Sequence, residues 1–294
     1  MKAPRFSYVR ARSVEQALAL LGEHGEEARV LAGGQSLMPT LNMRLSQPKL
    51  LIDINRLDAL AGISLAGDRV RIGALARHVE VANSTVVAEH LPLIAEAMPH
   101  VAHVAVRNRG TFGGSLALAD PAAEMPACVL ALDATLVLAS AAGGRREVAA
   151  DDYFLGLYET ARRPDELLVE ALIPVKRTGS VSVFLELARR HGDFALAGVA
   201  FQLAIEAGVM TGSRLAYFGS EDRPTLARGA AAAIQGRRLD RDSREAAAFA
   251  LAGDLKPMSN AQGSTRMRLH LQQVLTRRAL ALAEARATEL AGAA

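Results

Sequence analysis

Residues 28–37 read Ala28-Arg29-Val30-Leu31-Ala32-Gly33-Gly34-Gln35-Ser36-Leu37. A short apolar run ends in paired glycines and a hydroxyl residue, the pattern of a strand that turns tightly at its carboxyl end. Paired glycines let backbone N–H groups approach an anion with no Cβ in the way. Upstream, Ser13-Val14-Glu15-Gln16 reads as a capping box opening a helix that stops at Gly22. Downstream, Lys49–Asp53 reads as a second strand after a helical turn. Helix, buried strand, glycine turn, helix and strand together define a small α/β lobe.

From Ile63 the pattern changes. Ile63–Leu65 and Arg69–Ile72 flank Gly67-Asp68 as a hairpin, helical sequence fills Val79 to Met98, and Thr135–Leu138 with Glu147-Val148 flank a second hairpin at Gly143-Gly144. Glu166 to Pro174 reads as the last strand of this larger α+β lobe. The polar stretch Lys176–Ser180 marks a boundary, followed by strands at Val181–Leu187, Gly198–Ala207 and Arg214–Phe218 and by helices from Thr225 onward. The expected organisation is three units, 1–56, 57–176 and 177–294, the last an α+β domain with helices on one side of a small sheet.

A second glycine turn, Thr111-Phe112-Gly113-Gly114-Ser115, lies within the larger lobe. Ser36, Thr111 and Ser115 are hydroxyl donors suited to phosphate oxygens, and two such loops facing each other would clamp a pyrophosphate. The plainer reading of either turn is a tight connection in an α/β fold. The sequence holds neither G-x-G-x-x-G after a strand nor G-x-x-x-x-G-K-[ST], so neither a Rossmann site nor a P-loop is supported.

Composition narrows the classes. Half the residues are hydrophobic and 22% charged, ordinary for a globular protein, and the net charge of +3 with scattered Arg pairs gives no nucleic-acid-binding face. A single cysteine, Cys128, holds no disulfide, iron–sulfur cluster or structural zinc, and its apolar setting predicts an inert buried thiol. Of the seven histidines, His100 and His103 lie three apart near Glu96, but no further ligands are evident and a structural role is expected. Asp151-Asp152 and Glu221-Asp222 read as solvated caps. No signal-peptide core or membrane-spanning run occurs, so a cytoplasmic protein is expected.

Both glycine motifs resemble those of one family. Ala32 to Leu37 followed by Pro39 resembles the first FAD signature of the flavoprotein medium subunits of molybdenum hydroxylases, the xanthine dehydrogenase and aerobic carbon monoxide dehydrogenase family. Arg107 to Leu116, running on to Asp120-Pro121-Ala122-Ala123-Glu124, resembles the second. Phe6-Ser7-Tyr8, Leu167 to Pro174 and Arg189 to Ala195 fit the same family, so the resemblance covers essentially the whole chain. It implies a two-lobed FAD-binding domain of the PCMH/vanillyl-alcohol-oxidase type followed by the family's C-terminal domain.

The resemblance further implies that Val30, Leu31, Ala32, Gly33, Gly34, Gln35, Ser36 and Leu37, with Thr111, Gly113, Gly114 and Ser115, hold FAD about its pyrophosphate. Val101 and Leu168 would lie near the cofactor and Glu124 on its ribose or adenine side. Phe194 stands where relatives often place a flavin-side Tyr, and it lacks that hydroxyl; for Leu168 and Phe194 plain core packing is the alternative. Phe112 replaces a more usual Ile, and Ser115 a frequent Asn. No His lies in either turn, so the FAD is expected to be non-covalent, and the single Cys excludes the extra [4Fe–4S] cluster of one subgroup. The implied function is electron transfer, from [2Fe–2S] clusters of a small subunit to an external acceptor. Substrate would be oxidised on a large molybdopterin subunit, the whole forming a dimer of heterotrimers. Alternatives are a self-sufficient FAD oxidase and a scaffold subunit that has lost FAD.

Overall fold

The computed structural model describes residues 2–292. The first lobe contains β1 (Ser7–Arg10), α1 (Val14–His24), β2 (Ala28–Leu31), α2 (Leu37–Asn42) and β3 (Leu50–Asp53). Its strands are parallel in the order β1-β3-β2. Every residue of β3 is buried because it is central, whereas β2 is an edge strand in which only Ala28 is fully buried. That corrects the expectation of a wholly buried strand: edge position, invisible in the sequence, sets its exposure.

Helix α1 continues through Gly22 to His24 and stops at Gly25, whose φ is +49°. One interior glycine costs about 1 kcal/mol, less than the burial of Leu21 just before it contributes. Ser13 Oγ accepts from Gln16 N at 3.2 Å, but the Gln16 side chain accepts from Arg12 N at 2.7 Å. The return half of the expected capping box therefore lands one residue early.

The second lobe opens with β4 (Ile63–Ala66) and β5 (Arg69–Gly73). Six short helices follow: α3 (His78–Ala82), α4 (Thr85–His90), α5 (Pro92–Ala97), α6 (Val104–Arg107), α7 (Phe112–Leu118) and α8 (Glu124–Ala131). Then come β6 (Thr135–Ser140), β7 (Gly144–Ala149), α9 (Ala150–Tyr153), a small hairpin of β8 (Phe154–Gly156) and β9 (Glu159–Thr160), and β10 (Leu167–Pro174). In the antiparallel sheet β4-β5-β10-β6-β7 the strands β10 and β6 are covered on both faces. Along β6, Leu136 and Leu138 face the helices while Val137 and Ala139 face the first lobe. In β10, Leu167 and Val169 face the first lobe and Leu168, Ala171 and Ile173 face the helices. That change of parity needs an extra residue, and the bulge between Leu168 and Glu170 supplies it.

The third unit is a sheet of β11 (Ser180–Ala188), β12 (Ala195–Glu206), β13 (Val209–Phe218) and β14 (Thr225–Leu226), with α10 (Arg228–Ile234), α11 (Arg241–Asp254) and α12 (Thr265–Gly292). Thr225-Leu226, expected to begin the helices, pairs instead with Tyr217 and Ala216 as an edge strand. Helices α10–α12 cover one face through Val199, Phe201, Leu215 and Tyr217. The opposite face, with Phe184, Ala200, Ala216 and Phe218, packs into the helical core of the second lobe. The sheet is thus covered on both sides, one cover coming from the preceding lobe.

Ion pairs cross this seam. Arg286 of α12 grips Glu96 of α5 through two contacts of 2.8 and 2.9 Å. Asp151 at the start of α9 binds Arg214 and, at 2.9 Å, Arg228. The expected solvated role of Asp151 is therefore corrected to an inter-unit tie. Glu221 is also no solvated cap, since it is 7% exposed and accepts from Lys256 N at 2.7 Å, and burial raises its pKa. Cys128 is fully buried and unpaired, and burial holds its thiol well above the usual range.

Candidate functional site

Strands β1, β2 and β3 run parallel, so their carboxyl ends lie along one edge of the first lobe, where open α/β sheets receive ligands. The first glycine turn leaves β2 at that edge. It lines an open cleft of about 570 Å³ with Leu31, Ala32, Gly33, Gly34 and Gln35, together with Met38, Asn42, Asp53, Asn55 and Arg109. Gly34 has a φ of +72°, a conformation that strains any residue carrying a Cβ. A Cβ on Gly33 would stand 2.4 Å from Arg109 O and 2.8 Å from Gly110 Cα. The two glycine motifs therefore meet, backbone against backbone, across the junction of the lobes.

Their amides differ. Among the described residues, no acceptor engages the N–H groups of Gly33, Gly34, Gln35 or Ser36, although the carbonyls of Gly34 and Ser36 accept from Met38 and Thr40 of α2 and Gln35 Nε2 donates to Gly33 O at 3.1 Å. Such amides at the mouth of a cleft, beside an exposed Arg109, suit an anionic ligand. In the second turn Phe112 N donates to Ala76 O at 2.9 Å, Gly113 N to Ala74 O at 3.0 Å, Gly114 N to Thr111 Oγ1 at 3.1 Å and Ser115 N to Thr111 O at 3.1 Å. A Cβ on Gly113 would overlap Ala74 at 2.5–2.8 Å. This second turn seats α7 on the end of β5. Thr111, 2% exposed, caps that helix; Ser115 is half-buried on α7.

Asn55 and Asp53 support the first turn. Asn55 Nδ2 donates to Ala32 O at 2.8 Å, and its Oδ1 accepts from Arg77 of the second lobe at 2.7 Å. Arg77 also donates to Arg109 O, so one side-chain chain joins both glycine motifs. Burial pushes the Asp53 carboxyl up, but hydrogen bonds from Tyr8, Asn55 and Arg10 outweigh it and hold its pKa low. Sequence reasoning passed over Asn55, Arg77 and Arg109. Asn55 sits two residues past the β3 strand end, and Arg109 lies inside the quoted motif, which is the signal that was available.

The remaining expected residues fall elsewhere. Val30 and Leu37 are half-buried beside the first turn. Leu168, 3% exposed, lies in the helical core of the second lobe opposite Leu138, which is the core-packing alternative. Phe194 is 66% exposed, so core packing does not account for it. Val101 and Glu124 are buried at the seam with the third unit, where a Cβ on Gly192 would come within 2.8 Å of the His103 ring and 2.9 Å of Ala102 O. The loop carrying Phe194 thus packs on the segment carrying Val101. Burial raises the Glu124 carboxyl to about 7. His100 is held by Glu186 at 3.1 Å, and among the described residues no group of three or more His, Cys, Asp or Glu has the arrangement of a metal site.

A turn with unengaged amides at the carboxyl edge of a parallel sheet, braced against a second lobe, is an arrangement found in nucleotide-cofactor proteins. Comparison with known proteins then narrows the class. Residues 4–176 match the FAD binding domain in molybdopterin dehydrogenase, and residues 182–283 the CO dehydrogenase flavoprotein C-terminal domain. The chain is 40% identical to the 6-hydroxypseudooxynicotine dehydrogenase complex subunit alpha of Paenarthrobacter nicotinovorans, covering 98% of this chain and 97% of the other. It is 39% identical to the nicotine 6-hydroxylase medium subunit of the same organism, covering 97% and 100%. A carbon monoxide dehydrogenase structure from Hydrogenophaga pseudoflava superposes with a TM-score of 0.95 at 38% identity, over 97% of this chain and 99% of that one. The chain belongs to the FAD-binding medium-subunit family of the molybdenum hydroxylases, and is a flavoprotein oxidoreductase subunit.

Proposed function

We propose that this chain is the electron relay of a molybdenum hydroxylase. It receives electrons from [2Fe–2S] clusters of a small subunit and passes them to an external acceptor, while a large molybdopterin subunit oxidises the substrate. The observation that carries the reading is the set of unengaged amides from Gly33 to Ser36 in an open cleft that Arg109 also lines. They fit the pyrophosphate of FAD, whose charge needs donors but no proton transfer. When bound, FAD supplies an exchange of two electrons. The chain's own groups hold it: the first turn and Arg109 take the phosphates, Thr111, Gly113, Gly114 and Ser115 shape the opposing wall, Val101 and Phe194 lie near the cofactor, and Glu124 lies on its ribose or adenine side.

Relatives named as complex subunits support partner chains, here a dimer of heterotrimers. Among the described residues no helix is long and apolar enough to cross a membrane; a cytoplasmic location is part of the proposal. So is the division 1–56, 57–176 and 177–294, supported by each sheet drawing its strands from one range.

The test is the visible spectrum of the chain, alone and co-expressed with its neighbours, before and after acid precipitation. Flavin absorbance released into the supernatant is the expected result and marks a non-covalent cofactor. Flavin retained in the pellet overturns the non-covalent assignment. A folded, colourless chain that takes up no FAD with partners present overturns the relay and favours a scaffold. Substrate turnover by the isolated chain favours a self-sufficient oxidase.

A further inference from the structure

Three arginines gather at one end of the first lobe, outside the FAD cleft. Parallel pairing sets Arg10, the last residue of β1, opposite Asp53, the last residue of β3. The chain leaving β1 passes through Ala11, which is 2% exposed and donates its N–H to Asp53 O at 3.0 Å. Arg12 follows, its own N–H held by Gln16 Oε1 of α1 at 2.7 Å. The chain leaving β3 carries Arg56 beside the buried Leu57, whose N–H donates to Ile54 O at 3.0 Å. Buried neighbours and bonded amides thus fix the backbone, while all three arginines stay exposed. With Ala11 they line an open cleft of about 410 Å³.

This cleft lacks counter-charge. Arg10 Nε reaches Asp53 Oδ2 only at 3.4 Å. Tyr8 already donates to that oxygen, and Asn55 N and Nδ2 donate to the other at 2.9 and 2.8 Å. Among the described residues the side chains of Arg12 and Arg56 bond no acceptor, and the nearby acids Glu15 and Asp58 pair with none of the three. Elsewhere Arg71, Arg146 and Arg286 each meet a carboxylate within 2.8 Å. Like charges gathered in one cleft repel, and an anion seated among them removes that cost.

Size and charge select the ligand. Small-molecule sites run from about 300 to 1,000 Å³, so the cleft suits one small ligand. A stable protein interface takes about 20–30 residues a side, whereas four residues line this cleft. Guanidinium forks pair with phosphate oxygens two at a time, and three forks match the charge and the many oxygens of a diphosphate. The carboxyl ends of parallel strands are also where open α/β sheets receive ligands.

We propose that Arg10, Arg12 and Arg56 form a binding site for a small diphosphate-bearing ligand, separate from the FAD cleft on the same edge of the first lobe. Asp53 stands between the two, lining the FAD cleft and touching Arg10. The proposal does not depend on the relay reading.

The experiment is a calorimetric titration of inorganic pyrophosphate into the FAD-loaded chain at constant ionic strength. FAD occupies its own cleft there, and flavin absorbance of the filtrate checks that it stays bound. Saturable binding is expected, weakened about tenfold in Arg12→Gln and again in Arg56→Gln, as for loss of one charge-assisted hydrogen bond each. Both side chains are exposed and unpaired, so neither change is expected to move the urea midpoint or the FAD content. ADP in place of pyrophosphate separates two sources of the same chemistry: tighter binding marks a nucleotide ester, and equal binding marks the diphosphate alone.

Heat that does not saturate, or affinity unchanged in both variants, overturns the site. Binding that disappears when partner chains assemble gives the cleft to a partner's carboxylates and also overturns it. A chain that takes up no FAD overturns the relay alone, and the same two variants then test the arginine site in the empty chain.

Discussion

The two glycine turns look alike in sequence and do different work. In Gly33-Gly34 the absence of side chains serves a meeting of lobes and leaves amides facing a cleft. In Gly113-Gly114 it serves the seating of α7 on β5, and the amides are engaged inside the fold. A Gly pair therefore marks close backbone approach, and only the hydrogen-bond accounting tells what approaches.

Substitutions that separate stability from cofactor binding sharpen that contrast. The largest effect belongs to Gly113→Ala, whose Cβ collides with Ala74 backbone and side chain in a buried layer. A loss of about 3 kcal/mol or more is expected by denaturant titration. FAD content falls only as far as the folded fraction does; a stable protein with low FAD would reverse the assignment of the second turn. Gly33→Ala forces apart the two motifs at Arg109 and Gly110. At least tenfold weaker FAD binding is expected in a chain that still folds, measured by fluorescence titration of the apoprotein.

Acid distinguishes the turns as well. The second motif packs against His78, 4% exposed, with the ring Cδ2 2.9 Å from where a Gly110 Cβ would stand. Burial, and then the charge of Arg107, lower the His78 pKa to about 4. In the unfolded chain this histidine protonates near its ordinary value, about 6.5. Stability is therefore full above pH 6.5 and is lost as pH falls from there toward 4, by on the order of 3 kcal/mol. Urea midpoints across that window should show the loss, and His78→Asn should flatten it.

Smaller effects come last. Thr111→Ala removes the cap on Gly114 N and should cost about 1 kcal/mol of stability. Ser36 is exposed and bonds no helix amide with its side chain. Ser36→Ala should change stability by less than about 0.5 kcal/mol while weakening FAD binding a few-fold. Equal losses of stability in these last two variants would erase the distinction between the turns.

Much of this was legible in the chain itself. Period-2 runs gave both second-lobe hairpins, because alternation and turn residues act locally. The glycine motifs were visible too, since only glycine tolerates such close approach. What tertiary structure alone decided is non-local. It made β2 an edge strand, turned Asp151 and Glu221 from solvated groups into tied ones, and set Leu168 in the core with Phe194 in the open. It also assembled Asn55, Arg77 and Arg109 around one turn, and paired His100 with Glu186 across another seam. Sequence specifies which backbone conformations and faces each segment prefers; burial and partnership depend on which segments arrive from far along the chain, and that is settled only when the layers pack.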